Sequence, residues 1–358
     1  MRDAVTTLPP LGEGQHMTNG RRGRAGWLVF VASLSFVLLT QTPVGGQKTG
    51  AHASSAKTST VPRTPWGDPD FQGTWDFSTI TPMQRSPELA GREFLTAAEV
   101  AELEQRAHSR RIESEARPRP GDVGNYNLGW WWEPNGRRWV PTRRASLIVD
   151  PADGRMPALT QEGEKRRKAR EEAHQRLAGP EDLPPEERCL VGVNAGPPMI
   201  PGPYGNTVQF HQSPGYVVIV NEMVHHARVV PVDGRPHVSS AIRLQMGNSQ
   251  GRWEGDTLVV ETRNLRNLGN GHIGPTAVLD ENLHLIERFT RQDDDTLMYE
   301  FTINDPTIFV RPWTAQIPMT KMDGFVLEYA CHEGNYGMVN ILAGARARER
   351  TAAAEREP

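Results

Sequence analysis

Three stretches, residues 257–262 (TLVVET), 283–290 (LHLIERFT) and 296–303 (TLMYEFTI), decide the fold. Each is a short run rich in β-branched and aromatic residues, which is typical of strands. Asp293, Asp294 and Asp295 form a turn sequence between the last two runs, and no helical period intervenes. This pattern predicts an antiparallel meander in which neighbouring strands pair directly.

Further runs extend the predicted sheet. Residues 216–223 (YVVIVNEM) and 228–232 come before the turn Asp233-Gly234, and residues 325–331 are predicted as the last strand. Gly73-Thr74-Trp75 resembles the G-x-W sequence found just before the barrel of lipocalin-like proteins, where the Trp closes one end. We therefore expect a mainly β fold, an antiparallel meander barrel or sandwich of calycin-like type.

Two surface helices are predicted in the N-terminal half. Thr96 and Glu99 have the spacing of a capping box, and the helix that follows extends to about residue 117. The second helix starts after Thr160 and ends near Leu177, before a Gly-Pro pair. Both are dominated by charged residues of either sign, which is typical of solvated helix faces.

The N-terminal region has the order of a secretory signal peptide. Basic residues at 21–24 precede the uncharged run 25–40 (AGWLVFVASLSFVLLT), and small residues follow up to residue 46. The apolar run is shorter than the roughly 20 residues that span a bilayer comfortably, which favours a cleaved signal over a membrane anchor. We expect a periplasmic or secreted protein with no stable membrane span after cleavage.

Two details of this signal stay open. Met17 lies just before the basic residues and is an alternative start. Cleavage after Gly46 and cleavage after Ala53 both satisfy the small-residue rule. Residues 1–46 are interpreted as the signal peptide, and residues 47–64, which are small and polar, as a disordered linker.

The rest of the chain divides by texture. Residues 65–188 mix loops, aromatic clusters and the two helices, and we expect this segment to pack on the barrel. Residues 189–345 contain a series of strand-like runs and form the predicted β domain. Residues 346–358 are interpreted as a disordered tail.

Composition excludes several function classes. The 40 basic and 43 acidic residues give a net charge of −3, whereas a nucleic-acid binder normally carries a basic excess. The sequence has no P-loop, no dinucleotide-binding glycine motif and no G-x-S-x-G nucleophile motif. It leaves any cofactor and the oligomeric state open.

The chain has two cysteines, Cys189 and Cys331. Export would place them in an oxidising compartment, where disulfides form and persist. We therefore favour a Cys189–Cys331 bridge over two buried free thiols.

Four longer motifs suggest a relationship. They are PTRRASLIVDPADGRMPALT at 141–160, WEGDTLVVET at 253–262, LHLIERF at 283–289 and EYACHEGN at 328–335. Together they resemble a family of exported bacterial proteins for which no reaction is established. The resemblance covers nearly all of the mature chain and implies a periplasmic or secreted location and one shared architecture, without an activity.

Glu287 is the first candidate for chemistry. In the run 283–290 it shares a face with Leu285 and Phe289, so if the apolar faces meet inside, Glu287 goes inside with them. A carboxylate in such a place must be paired or have its pKa raised, and acids with raised pKa values in cavities are often functional. The alternative is a buried structural ion pair, for example with Arg228.

Strand parity groups further polar residues near Glu287. Glu222, His226 and Arg228 share one parity if the strand from residue 216 continues, and His332 follows the predicted last strand. We interpret His226, Glu287 and His332 as candidate catalytic acid–base residues, since His titrates near neutral pH. For any one of these histidines, a hydrogen-bonded structural role is the competing interpretation.

The same reasoning gives the candidate ligand-binding residues. They are Glu222, Arg228, Tyr299, Trp131 and Arg144. Trp131 belongs to an aromatic cluster at 130–132, which would either line a ligand site or pack as a lid on the barrel. No metal ligands are predicted, because H-E-x-x-H and C-x-x-C spacings are missing and the adjacent His225 and His226 would face opposite sides of a strand.

Three functions fit these observations. The first is an exported soluble protein that binds a small apolar or aromatic molecule in a barrel cavity. The second is a cavity enzyme that uses His/Glu acid–base chemistry, such as a metal-assisted lyase, isomerase or hydrolase. The third is a structural protein of the cell envelope. A cavity that contains Glu287 and a histidine would favour the first two.

Overall fold

Alternating burial organises the strands of the sheet. The computed structural model describes residues 61–116, 138–192, 194–266, 281–324 and 326–356. In the strands at 284–291 and 296–304 every second side chain is buried, as the period of two in a strand requires. The ten strands are β1 (Gly73–Asp76), β2 (Ile148–Asp150), β3 (Thr207–Ser213), β4 (Tyr216–Asn221), β5 (Ala227–Pro231), β6 (Asn248–Glu254), β7 (Thr257–Arg263), β8 (His284–Arg291), β9 (Thr296–Asn304) and β10 (Trp313–Met322).

These strands form one antiparallel sheet that is nearly closed into a barrel. The order across it is β5-β4-β3-β1-β10-β9-β8-β7-β6, with the short β2 paired to β10. The two edge strands meet at Gly251 of β6. A Cβ placed there would lie 2.9 Å from Val230 Cγ1 of β5 and 2.7 Å from Val232 Cγ1, so only glycine allows this approach. The mainly β, calycin-like expectation is confirmed, as a barrel.

A row of aromatic side chains fills the middle of the barrel. Phe210 and Phe289 lie 5.2 Å apart between ring centroids, Phe289 and Tyr299 4.9 Å, and Tyr299 and Phe301 5.6 Å. Trp313 continues the row, 5.7 Å from Phe301. These five side chains are buried, and burying so much aromatic surface is a main source of stability in such a core.

The two ends of the barrel differ in construction. At the end that we call the hairpin end, tight turns join β3 to β4, β6 to β7 and β8 to β9. Trp75 of the G-x-W sequence is fully buried near this end, with the Arg291 guanidinium 5.6 Å from its ring. Arg291 also donates to the carbonyl oxygens of Asp70, Asp293 and Asp294, which ties the chain entry to the β8–β9 turn.

Both predicted N-terminal helices are present. Helix α1 (Ala97–Ala116) has the expected capping box, in which Glu99 N–H donates to Thr96 Oγ1 and Thr96 N–H to Glu99 Oε2. Helix α2 (Gln161–Arg176) is capped by Thr160, which accepts from Gly163 N–H. Its C-cap, Leu177, has a left-handed backbone.

The C-terminal region differs from expectation in two respects. Residues 326–331 are not a strand, and the last strand is β10. Helix α3 (Tyr336–Ala354) includes residues 346–354 of the expected disordered tail. It packs against Leu177 and Leu183 through Met338, Leu342 and Ala345, and this apolar contact is what orders it.

The boundary expected at residue 188 is not a boundary of the sheet. Strand β1 belongs to the N-terminal segment but lies between β3 and β10, inside the barrel wall. The predicted Cys189–Cys331 disulfide is confirmed, with the two Cα atoms 5.7 Å apart. The predicted signal peptide and the linker up to residue 60 lie outside the described residues.

Candidate functional site

The longer connections gather at the end opposite the hairpins, which we call the loop end. The chain crosses this end between β4 and β5, between β7 and β8, and between β9 and β10. Residues 194–206, which precede β3, also lie there, because Asn206 O accepts from Phe77 N–H just beyond β1. Binding residues are usually carried on such loops above a rigid sheet, so the search for a site starts at this end.

A buried polar network lies in the barrel beneath the loop end. Arg228 of β5 donates to Glu287 of β8 through two nitrogens, Nη1 to Oε2 at 2.6 Å and Nη2 to Oε1 at 2.9 Å. Tyr299 of β9 donates its hydroxyl to Glu287 Oε1 at 2.8 Å. The ion pair joins β5 to β8 across the β6 and β7 strands, and the whole network is sealed from solvent.

Two members of this network, Tyr299 and Arg228, have raised pKa values. Burial, followed by the charge of Glu287, raises the pKa of the Tyr299 hydroxyl well above its ordinary value. Burial lowers the pKa of Arg228, but the attraction of Glu287 outweighs it and the net pKa is raised. Tyr299 therefore stays a donor and Arg228 a cation at physiological pH.

Residues 194–206 form a plug segment at the loop end. Asn194 Nδ2 donates to Tyr204 O at 2.9 Å, Gly205 O at 2.7 Å and Asn206 Oδ1 at 3.1 Å, which ties the ends of the segment together. A short loop with joined ends and its own internal packing is an Ω-loop, a type that is frequently functional.

The plug segment reaches into the barrel through Met199. Its side chain is buried in the main core, and its backbone N–H donates to the Tyr299 hydroxyl at 3.0 Å. Met199 is thus joined through Tyr299 to Glu287, although no strand contains it. Glycines let the plug approach the wall closely: a Cβ on Gly205 would lie 2.9 Å from Met223 Cγ.

Asn221 is a buried side chain of which both polar atoms are left without a partner among the described residues. It ends β4, shares the inward face with Val217 and Ile219, and is 1 % exposed. Neither Oδ1 nor Nδ2 has a hydrogen-bond partner in the part of the chain that the structure describes. A buried carboxamide without partners costs on the order of 1–3 kcal/mol, so this position needs an explanation.

Arg228 has one unused donor on the same face. Its Nε is buried and makes no hydrogen bond among the described residues, because Glu287 takes only Nη1 and Nη2. In the register, Arg228 pairs with Ile219 and Ala227 with Val220. Asn221 is therefore one inward position nearer the loop end than Arg228, and the two unused groups are diagonal neighbours.

The turn between β4 and β5 corrects the expected parity. We expected Glu222, His226 and Arg228 to share a face with Tyr216, but β4 ends at Asn221, and Val224 and His225 have left-handed backbones. The turn shifts the register, so that Arg228 points inward while Tyr216 does not. Glu222 and His226 lie half-buried at the rim of the loop end.

A tyrosine pair joins the plug segment to the region around the disulfide. Tyr204 stacks on Tyr329 with ring centroids 6.1 Å apart, and Tyr329 N–H donates to His225 Nε2 at 3.0 Å. Asn335 Nδ2 donates to Cys189 Sγ at 3.3 Å.

His332 is exposed on this outer segment, whereas Glu287 is buried in the barrel. The predicted catalytic roles of His226, Glu287 and His332 stay predictions.

The remaining candidates lie elsewhere. Arg144 forms an ion pair with Glu93 at 2.5 Å and lies over the Phe94 ring at 4.9 Å, near the start of α1. Trp131 and its aromatic neighbours lie outside the described residues. Within the described ranges no group of three or more His, Cys, Asp or Glu side chains is arranged to hold a metal ion. No helix in those ranges is long and apolar enough to cross a membrane.

The chain matches no protein-family model and no curated protein.

Three residues of this site, Met199, Asn194 and Asn221, are not predicted by the sequence patterns above. The Gly- and Pro-rich run at 196–205 (GPPMIPGPYG) was a usable signal, because such a run between two apolar segments marks a loop and encloses apolar Met199 and Ile200. Asn221 gave no signal of its own, because residues 216–220 are apolar on both faces and either face could be the inner one.

Proposed function

We propose that this protein is an exported barrel that binds a small, largely apolar or aromatic molecule in the space filled by Met199. In the form described here the plug segment closes that space. Binding requires the plug to lift from the loop end, and the ligand then takes the place of the methionine side chain. The Arg228–Glu287–Tyr299 network forms the floor of the binding space.

The observation that carries this proposal is the position of Met199. It is the part of the plug segment that is buried against the floor, and its N–H bonds to Tyr299. Met is flexible and fills irregular apolar space, as an internal substitute for a ligand must do. Displacing it exposes an apolar space with a few fixed polar groups, which is the usual composition of a small-molecule site.

Two further observations bear on the place and the mode of binding. The aromatic row already fills the middle of the barrel, so the space for a ligand is the one that Met199 occupies at the loop end. The disulfide and the signal-like N-terminus support export. Glu287 already accepts from Arg228 and Tyr299, which favours a positioning role for it over proton transfer.

The test compares two variants, one with a cavity at the plug segment and a matched one with a cavity in the barrel wall. Met199→Ala removes the side chain that competes with the ligand, whereas Ile317→Ala empties a buried position of β10. We expect toluene and benzamide to bind Met199→Ala at least about tenfold more tightly than the wild type, because the competing group is gone. Titration calorimetry and thermal shift measure this.

The Ile317→Ala control distinguishes a ligand site at Met199 from the nonspecific binding that any cavity in the core would allow. Ile317→Ala should bind the same probes no more tightly than the wild type. If Met199→Ala binds none of them, or if both variants gain affinity equally, the proposal is wrong.

A further inference from the structure

We infer that the ligand carries a neutral amide edge, as in a primary amide or a lactam, that pairs with Asn221 and with Arg228 Nε. This rests on the proposed function and names the polar part of its ligand. Asn221 and Arg228 are buried, and both have hydrogen-bonding atoms without partners in the described chain.

The unused atoms define what would satisfy them. Asn221 offers one acceptor, Oδ1, and a donor group, Nδ2, and Arg228 offers one further donor, Nε. An amide supplies the complement: its carbonyl oxygen accepts from Nδ2 and Nε, and its N–H donates to Oδ1. One small planar group would therefore satisfy every unused atom at these two positions.

Charge distinguishes an amide from a carboxylate. The Arg228 guanidinium is already neutralised by Glu287, with which it shares two hydrogen bonds. A carboxylate ligand would add an uncompensated charge to a buried site and would face Oδ1 of Asn221 with another acceptor. A hydrocarbon would leave all the unused atoms as they are.

The position of these atoms places the amide at the mouth of the space beneath the plug. Asn221 is one inward position nearer the loop end than Arg228, and the network that starts at Arg228 ends at Met199. A ligand whose apolar part replaces Met199 would thus turn its polar edge toward β4 and β5.

Three probes of similar size test this: benzamide, benzoate and toluene, each titrated into Met199→Ala and into the double variant Met199→Ala/Asn221→Leu. In the single variant we expect benzamide to bind about tenfold more tightly than toluene, because it satisfies groups that are otherwise buried unpaired. Benzoate should bind more weakly than benzamide. In the double variant the preference for benzamide should fall to less than about threefold, with toluene affinity kept.

The outcomes separate this inference from the proposed function. If benzamide, benzoate and toluene bind Met199→Ala equally, the site exists and the amide inference is wrong. The inference also fails if benzoate binds best, or if Asn221→Leu leaves the preference unchanged. If no probe binds Met199→Ala, the proposed function itself fails. Asn221→Ser provides a second variant, which should also lose the preference for benzamide.

Discussion

The floor of the barrel and its loop end both bury polar side chains but pair them to different extents, and on the floor only Arg228 Nε is without a partner among the described residues. On the floor, Glu287 is bonded to two partners, and Tyr299 both donates and accepts. One layer higher, Asn221 is equally buried and has no partner among the described residues. A satisfied network makes a structure rigid and specific, whereas a buried group without a partner carries a cost that needs an explanation.

The difference also determines what each region can do. The floor joins β5, β8, β9 and the plug segment, so its bonds resist opening of the barrel. The loop end carries the cost of an unpaired carboxamide in the closed form, and any state that satisfies Asn221 recovers that cost. In the proposed mode of binding, the closed plug is therefore less stable relative to the ligand-bound form than its packing alone would make it.

The largest expected effect on stability comes from disrupting the ion pair of the floor. Glu287→Leu leaves the Arg228 charge buried without its partner and should lower the free energy of unfolding by about 3–5 kcal/mol, measured by urea denaturation. The double variant Glu287→Leu/Arg228→Leu removes both charges and should recover most of that loss. A double variant as unstable as the single one would show that the ion pair is not what the floor depends on.

Part of this comparison could be predicted from the sequence. The alternation in residues 283–290 placed Glu287 inside, and Arg228 was named as its possible partner. Local patterns also predict the capping box of α1 and the start of α2 after Thr160, and the expected export predicts the disulfide. These features depend on a strand's own parity, on spacing of a few residues or on compartment, all of which a sequence records.

The rest depends on contacts that a sequence does not record. Asn221 faces inward because the inner face of β4 is the one with Val217 and Ile219, and the left-handed backbones of Val224 and His225 then bring Arg228 to the same face. Strand β10 contains Pro318, which argues against a central strand. Pro318 pairs with Met298 of β9, while on its other side β10 pairs with β2 before it and with β1 after it. The missing N–H at Pro318 therefore interrupts no ladder.

A second prediction compares how replacing two buried asparagines, Asn206 and Asn221, changes the stability. Asn206 in the plug segment accepts from Gly202 N–H at 2.7 Å and donates to Gly202 O, so Asn206→Leu should destabilise the protein by about 1–3 kcal/mol. Asn221→Leu breaks no side-chain hydrogen bond and should leave the stability unchanged or raise it by up to about 1 kcal/mol.

Urea denaturation of the two variants without ligand gives the answer. Opposite signs would support an unsatisfied Asn221 and a satisfied Asn206. A loss at Asn221 as large as the loss at Asn206 would mean that Asn221 is bonded in solution, and the contrast between floor and loop end would disappear.

The smallest expected effect on stability concerns a second Glu–Arg ion pair, which lies on the outside of the barrel. Glu261 of β7 accepts from Arg252 at 2.7 Å and lies 3.2 Å from His284 Nε2, next to the strand that carries Glu287. Burial raises the pKa of Glu261, but the hydrogen bonds from Arg252 and His284 outweigh it and the net pKa is lowered. Its ionised form therefore contributes stability above the unfolded pKa of about 4.3, and this is lost as the pH falls through the folded pKa.

Because these charges are open to solvent, Glu261→Gln should cost only about 0.2–1 kcal/mol at pH 7, and this cost should shrink further in 1 M salt. The difference between Glu261→Gln and the wild type should also shrink as the pH falls through the lowered folded pKa of Glu261. The loss caused by Glu287→Leu should change little with salt, since screening does not reach a sealed pair. Equal salt sensitivity at the two sites would mean that solvent enters the floor, and burial would then not be what separates the inner ion pair from the outer one.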